Sequence, residues 1–203
     1  MWLNSPRLLP WKYRITSTSL WYPNPWGMNT PVGLVPGKSR GKYQVVSAGP
    51  ITWKGADNWD IDGVLTYPVD YQAGQRVPLI LQVHGGPHGR FSSNFNASAQ
   101  IWAARGYAVF QPHLRGSAAY SVQFRNAGIG EWGAKILSDV ADGLSALAGA
   151  GIVDPARVCI VGASYGGYAA LAGVTVQHGL YRCAVSVGGP SDLVNLLRWK
   201  GDR

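Results

Sequence analysis

Two periodicities alternate along this chain. Short apolar runs recur at residues 61–67, 78–83, 107–111, 157–161 and 183–187, several of them rich in β-branched residues, and each reads as a strand. Between them lie stretches with apolar residues at helical spacing. The clearest spans 136–148, where Ile136, Leu137, Val140, Leu144 and Leu147 fall on one side. Asn96 to Arg105 reads as a second helix, with Ala97, Ile101, Trp102 and Ala104 as its apolar side. Tyr168 to Ala172 and Asp192 to Trp199 read as two more, and Lys42 to Val46 and Ile51 to Lys54 as short strands. Strands alternating with helices predict an α/β domain whose mostly parallel sheet has helices on both faces. Residues 1–40 show neither period and are rich in Pro and Gly. The expected division is an irregular, basic, Trp/Pro-rich leader or upstream remnant over 1–45 and one α/β domain over 46–203.

Charge sharpens that division. The formal net charge of +8 invites a nucleic-acid partner, but it is local. Residues 1–56 carry seven Lys or Arg and no acid, whereas 57–203 carry eleven basic and ten acidic residues. Basic and aromatic residues mixed as in Trp21 to Trp26 can bind single strands. No nucleic-acid-binding motif accompanies them, so no nucleic-acid partner is expected. No segment has the pattern of a signal peptide or the length of a membrane span, which predicts a cytoplasmic protein without membrane contact. Cys159 and Cys183 both fall in expected buried strands and read as reduced core residues. No metal-ligand spacing and no Walker or dinucleotide glycine pattern appears, so neither metal nor cofactor is expected.

The chemistry concentrates at Gly162-Ala163-Ser164-Tyr165-Gly166-Gly167. This Gly-x-Ser-x-Gly lies where the strand 157–161 gives way to a helix. Such a turn exposes its Ser, and small neighbours let the backbone close around it. Ser164 is therefore the candidate nucleophile, the alternative being a Ser that caps a glycine-rich turn. A helix N-terminus also offers N–H groups to developing negative charge, that of Tyr165 first. Upstream, the strand 78–83 runs into His84-Gly85-Gly86-Pro87-His88-Gly89. A glycine-rich loop there can bring a second N–H beside the nucleophile, the plainer reading being a tight turn. Together these two halves suit an α/β-hydrolase fold.

A base and its orienting acid are missing from this pattern. In the α/β-hydrolase order they follow the nucleophile. After Ser164 come only His178, Asp192 and Asp202. His178 reads as the C-terminal end of the helix behind the elbow, and Asp192 as a helix N-cap. His84, His88 and His113 precede Ser164 and would break the order. The catalytic Asp and His are thus expected beyond Arg203, in a domain whose C-terminal strands are missing.

These motifs form a set. His84 to Gly89, Gly106 to Pro112, Arg115-Gly116-Ser117, Glu131-Trp132-Gly133 with Asp139, Val153 to Arg157, and Gly162 to Tyr168 occur in the order and spacing of one family. Over residues 50–195 the chain resembles the catalytic domain of the prolyl oligopeptidase family of serine peptidases, nearest its dipeptidyl-peptidase and acylaminoacyl-peptidase branches. The resemblance implies a peptidase acting on short peptides, with Ser164 as the acyl-forming nucleophile and the N–H groups of Gly86 and Tyr165 as the oxyanion hole. Tyr165 and Tyr168 would shape a pocket floor or pack in the core. Arg115 would be a structural hydrogen-bond donor or touch substrate. Trp132 and Asp139 would be packing and helix-surface features. One departure stands out: Ala118-Ala119-Tyr120-Ser121 replaces a Gly-Tyr-Gly-like turn. The family's N-terminal propeller and last hydrolase strands both lie outside these residues, so the chain reads as truncated and inactive by itself. A carboxylesterase-like hydrolase and a binding-only pseudoenzyme are the alternatives.

Overall fold

The computed structural model describes residues 20–23, 29–32, 46, 48–92 and 94–201. The chain divides into two units, Met1–Tyr43 and Gln44–Arg203. In the first, β1 (Leu20–Pro23) pairs antiparallel with β2 (Asn29–Val32), Leu20 opposite Val32 and Pro23 opposite Asn29. The sequence hides this pair because proline interrupts both runs, and proline within a run argues against a strand. The strand expected at Lys42 to Val46 lies outside the described residues except for Val46, which is not in a strand.

Among the described residues the second unit has six strands: β3 (Ala48–Lys54), β4 (Asp60–Thr66), β5 (Val77–Val83), β6 (Ala108–Pro112), β7 (Val153–Ala163) and β8 (Cys183–Val187). Their order in the sheet is β3-β4-β6-β5-β7-β8. β6, β5, β7 and β8 run parallel, and β3 and β4 extend the β6 edge antiparallel. Parallel neighbours need long crossovers. α1 (Ala97–Ala103) fills the one from β5 to β6. α2 (Val122–Asn126) and α3 (Lys135–Gly149) fill the one from β6 to β7, and α4 (Tyr165–Thr175) the one from β7 to β8. α5 (Leu193–Gly201) follows β8. No helix among the described residues is long and apolar enough to cross a membrane.

Alternation along β5 shows why both faces are covered. Leu79, Leu81 and Val83 join Phe110, Val158 and Ile160 in the main core, against Ile136, Val140, Leu144 and Leu147 of α3 and Ala169 and Ala170 of α4. Ile80 and Val109 point the other way and meet Ala99 of α1 in a smaller core. A one-residue step along a strand reverses the face. Burying each such Leu or Ile stabilises the fold by about 1.5–3 kcal/mol. α3 approaches the sheet closely because Gly143 lies over Phe110 and Trp53, where an added Cβ would sit 2.8 Å from the Phe110 ring.

β8 corrects the reading of the cysteines. Cys159 and Cys183 are opposite one another in the β7–β8 register and form a disulfide, and Cys183 is exposed. Among the described residues β8 is the last strand on this side of the sheet. Helix α4 packs on β7 and β8, whereas α1 packs on β6 and β4. Val185 and Val187 are exposed, as is Cys183.

The departure at residues 118–121 is local. Ser121 caps α2, its Oγ accepting the Phe124 N–H at 3.1 Å, and Ala119 is left at φ +68°. A left-handed conformation disfavours a residue with a Cβ by about 1–2 kcal/mol. Ala119→Gly is therefore expected to raise stability by about 1 kcal/mol after the entropy that glycine adds to the unfolded chain. Chemical denaturation of the two proteins side by side measures this, and an unchanged midpoint would refute it.

Candidate active site

β7 ends at Ala163, α4 begins at Tyr165, and Ser164 bridges them at φ 54° and ψ −119°. This sharp elbow needs glycine on either side. A Cβ on Gly162 would strike the backbone of Gly166, and one on Gly166 would strike the Val83 carbonyl. The Ser164 N–H donates to the Val187 carbonyl at 3.0 Å, and its carbonyl accepts the Tyr168 N–H at 3.0 Å. The backbone is thus held while the residue itself is exposed. Its hydroxyl makes no capping hydrogen bond to α4, so the capping alternative fails.

The loop after β5 comes up to this elbow. A Cβ on Gly85 would lie 3.3 Å from the Ser164 Cβ and 3.9 Å from its Oγ. Gly86 has φ +120°, and a Cβ there would strike the His88 N–H, so glycine is required twice for different reasons. Among the described residues neither the Gly86 N–H nor the Tyr165 N–H donates to another backbone group. The Tyr165 N–H is the first of α4, at the positive end of its dipole. The Tyr165 side chain belongs to the core. It is buried, its ring lies 4.8 Å from that of Trp132, and its hydroxyl donates to the Trp132 carbonyl at 2.8 Å. Tyr168 is half-buried, with its ring 6.2 Å from Trp132.

The histidines have other work. His84 is buried, with Nδ1 2.9 Å from the Gly85 carbonyl and Nε2 3.1 Å from the Ser117 hydroxyl. His88 donates from Nδ1 to the Gly116 carbonyl at 2.8 Å, and the Ala118 N–H donates back to the His88 carbonyl at 3.1 Å. His113 is buried between Asp62 (Nδ1 to Oδ1, 3.0 Å) and the Phe91 carbonyl (Nε2, 3.0 Å). Tyr120 also donates its hydroxyl to Asp62. Burial pushes the Asp62 carboxyl up, but the bonds from His113 and Tyr120 outweigh it and hold the group below its ordinary value. His178 is exposed in the turn after α4, the far end of an 11-residue helix, or about 16 Å along its axis from the elbow. Asp192 caps α5, accepting the Asn195 N–H at 3.0 Å. Asp202 lies outside the described residues. No imidazole among the described residues hydrogen-bonds the Ser164 hydroxyl.

Burial lowers His84 to about 4. The native state therefore resists its protonation, while the unfolded state protonates near pH 6.5. Between those values the unfolded chain binds more protons, so stability falls as pH falls from about 6.5 to about 4, by roughly 3 kcal/mol in all. Comparing wild type with His84→Asn across this window isolates the contribution, because carboxylate terms are common to both. Equal pH slopes in the two proteins would refute it.

The segment from Gln111 to Ser117 is buried throughout. Its centre is Arg115, whose Nε and Nη2 donate to the two oxygens of Asp139 at 2.6 and 2.8 Å. Nη2 also donates to the Ala56 carbonyl at 2.7 Å, and Nη1 to Asp57 at 3.2 Å. Asp139 is thus no helix-surface feature. It lies three residues after Ile136 on the buried face of α3, and it also accepts the Ala56 N–H at 2.8 Å. Arg115 is a structural donor, and its guanidinium is raised above its ordinary value by the bonds to Asp139.

Comparison with known proteins decides the family. The sequence profile of the prolyl oligopeptidase family matches residues 93–200, just over half of the chain. The chain belongs to the prolyl oligopeptidase family. Dipeptidyl aminopeptidase BIII of Pseudoxanthomonas mexicana is 39% identical over 154 residues, covering 73% of this chain and 22% of that protein. Dipeptidyl peptidase family member 6 of Caenorhabditis elegans is 36% identical over 130 residues, 62% of this chain and 18% of its own. The solved acylaminoacyl peptidase of Pyrococcus horikoshii superposes with a TM-score of 0.70 at 28% identity, over 85% of this chain and 27% of that one. The chain therefore spans about a fifth of the length of these curated relatives. The expected α/β-hydrolase sheet is the one this prolyl oligopeptidase family structure shares. The matched span holds the elbow, Arg115 and Asp139, and the His84 to Gly89 loop precedes it. Sequence reasoning passed over Ser117 as a working residue, although Arg115-Gly116-Ser117 was among the family motifs. It noted Tyr120 only as part of an altered turn and gave Asp62 no role, since the two partners lie 58 residues apart.

Proposed function

We propose that the protein is a serine peptidase that cleaves short peptides through an acyl-enzyme on Ser164. The observation that carries this is the exposed, uncapped Ser164 held at a strained elbow beside the Gly85-Gly86 loop. In this reading the Ser164 oxygen attacks the peptide carbonyl carbon, and the carbonyl oxygen takes up negative charge facing the N–H groups of Gly86 and Tyr165. As the C–N bond breaks, the hydroxyl proton ends on the departing amine, and water then hydrolyses the ester, releasing the acid and restoring the Ser164 hydroxyl. None of His84, His88, His113 or His178 is assigned as the base, because the first three are hydrogen-bonded to other groups and the fourth lies past the far end of α4. The names of the relatives, dipeptidyl aminopeptidase and acylaminoacyl peptidase, support peptides as the substrate class. The Cys159–Cys183 disulfide supports an oxidising compartment over the cytoplasm expected from the sequence. Thiol titration of the unreduced, denatured protein should find neither cysteine free, and two free thiols would refute that placement. Function is tested on the whole protein with chromogenic dipeptidyl and N-acyl-aminoacyl amides beside simple acyl esters. Amide hydrolysis that depends on Ser164 is expected. Cleavage of esters alone would point to a carboxylesterase instead.

A further inference from the structure

The hydrogen bonds around His84 close into a chain with a single direction. The Gly85 carbonyl can only accept, so His84 Nδ1, 2.9 Å away, must carry a proton. A buried imidazole kept neutral has no second proton, which leaves Nε2 bare. Nε2 lies 3.1 Å from the Ser117 hydroxyl, so that hydroxyl donates to it. Ser117 Oγ in turn accepts the Leu114 N–H at 2.9 Å. Each group in this chain, all but His84 and Gly85 wholly enclosed, has the partner its chemistry requires, and one tautomer alone satisfies them.

The end of the chain matters most. The Gly85 carbonyl and the Gly86 N–H are two ends of one planar peptide and point in opposite directions. Holding that carbonyl therefore aims that N–H. The Gly89 N–H also donates to the Gly85 carbonyl, at 3.2 Å, so the plane is gripped from two sides. A glycine pair has little stiffness of its own, and this grip replaces it.

We propose that His84 is a positioning residue: its Nδ1–H fixes the peptide plane that presents the Gly86 N–H to the oxyanion, and Ser117 locks the tautomer that makes this possible. The proposal rests on the serine-peptidase reading above, in which Gly86 is an oxyanion donor. It extends that reading to a buried His–Ser pair that touches neither substrate nor Ser164.

The test uses the whole protein and a chromogenic peptide amide that it hydrolyses. His84→Phe keeps a ring and removes both nitrogens. It should lower kcat on the order of 10²-fold with KM nearly unchanged, as loss of one oxyanion donor does. His84→Asn places an amide N–H near the Nδ1 position and should recover most of that loss. His84→Gln places it near Nε2 and should not. A structural role alone would move all three together. If His84→Phe fails to fold, the Asn and Gln variants still decide, and nitrogen-15 NMR of selectively labelled wild type reads the tautomer without any substitution. A protonated Nδ1 with a bare Nε2 supports the proposal. A protonated Nε2, equal kcat for Asn and Gln, or wild-type kcat in a folded His84→Phe overturns it while leaving the peptidase reading intact. Undiminished hydrolysis by Ser164→Ala would instead overturn that reading and this proposal together.

Discussion

Ser164→Ala in the whole protein is expected to lower peptide-amide hydrolysis on the order of 10⁵–10⁶-fold, the loss seen when an acyl-forming serine is removed. The size follows from the role. Without the hydroxyl no acyl-enzyme forms, and only binding and the oxyanion donors remain to favour direct attack by water. Folding should be untouched. Alanine faces the same φ of 54° as serine, and the serine side chain makes no capping bond that alanine would lose. Ser164→Gly separates strain from chemistry. Glycine adopts this backbone freely, so the variant should be as inactive as Ser164→Ala yet more stable, by about 1 kcal/mol, out of the 1–3 kcal/mol that such a conformation stores. Rates with a chromogenic amide and melting curves of the three proteins check both halves. Loss of stability in both variants, with hydrolysis retained, would return Ser164 to a mere turn residue.

The turn at Ser164 was legible because a strand-to-helix elbow is a local device. Two glycines four residues apart, an apolar strand before and a helix after are all contiguous in sequence. Helix α3 was legible for a similar reason, since its buried residues repeat at 3.6. Asp139 shows where that logic stops. It occupies the buried face of α3, but a carboxylate within an amphipathic pattern reads as surface unless its partner is known. That partner, Arg115, comes 24 residues earlier, in the loop after β6. Cys159 and Cys183 misled for a related reason: each sits in an apolar run, and only the β7–β8 register shows them opposed. Tyr165 was open between a pocket floor and the core, and only the fold shows its buried side chain packed against Trp132. His84 was legible as part of a glycine loop, but not its tautomer, which depends on a hydroxyl 33 residues away.

Arg115→Met is expected to destabilise the fold by about 3–5 kcal/mol, because removing one partner of a buried ion pair strands the other charge. Arg115 and Asp139 are almost wholly enclosed, and the pair is bidentate. The effect should reach the candidate active site as well. Arg115 ties the loop carrying Gly116 and Ser117 to α3 and to Ala56, and those two residues hold His88 and His84. Arg115→Lys should recover little, since an ammonium cannot span both carboxylate oxygens and the Ala56 carbonyl at once. Asp57→Ala should cost far less than Arg115→Met, because that arm of the network is solvent-exposed and screened. The pH dependence carries the sign. Burial already raises the Asp139 carboxyl above its ordinary value, against the pull of Arg115 and the Ala56 N–H. Without Arg115 it rises further, so the native variant takes up a proton before the unfolded chain does. Its deficit relative to wild type should then be largest near neutral pH and shrink as the solution is acidified through that raised value. Replacing both charges, as Arg115→Met with Asp139→Leu, should recover part of the loss, giving a coupling energy that additive single effects cannot. Urea denaturation of the single and double variants at two pH values measures all of this. A deficit under 1 kcal/mol that is independent of pH would mean the pair contributes no more than its packing.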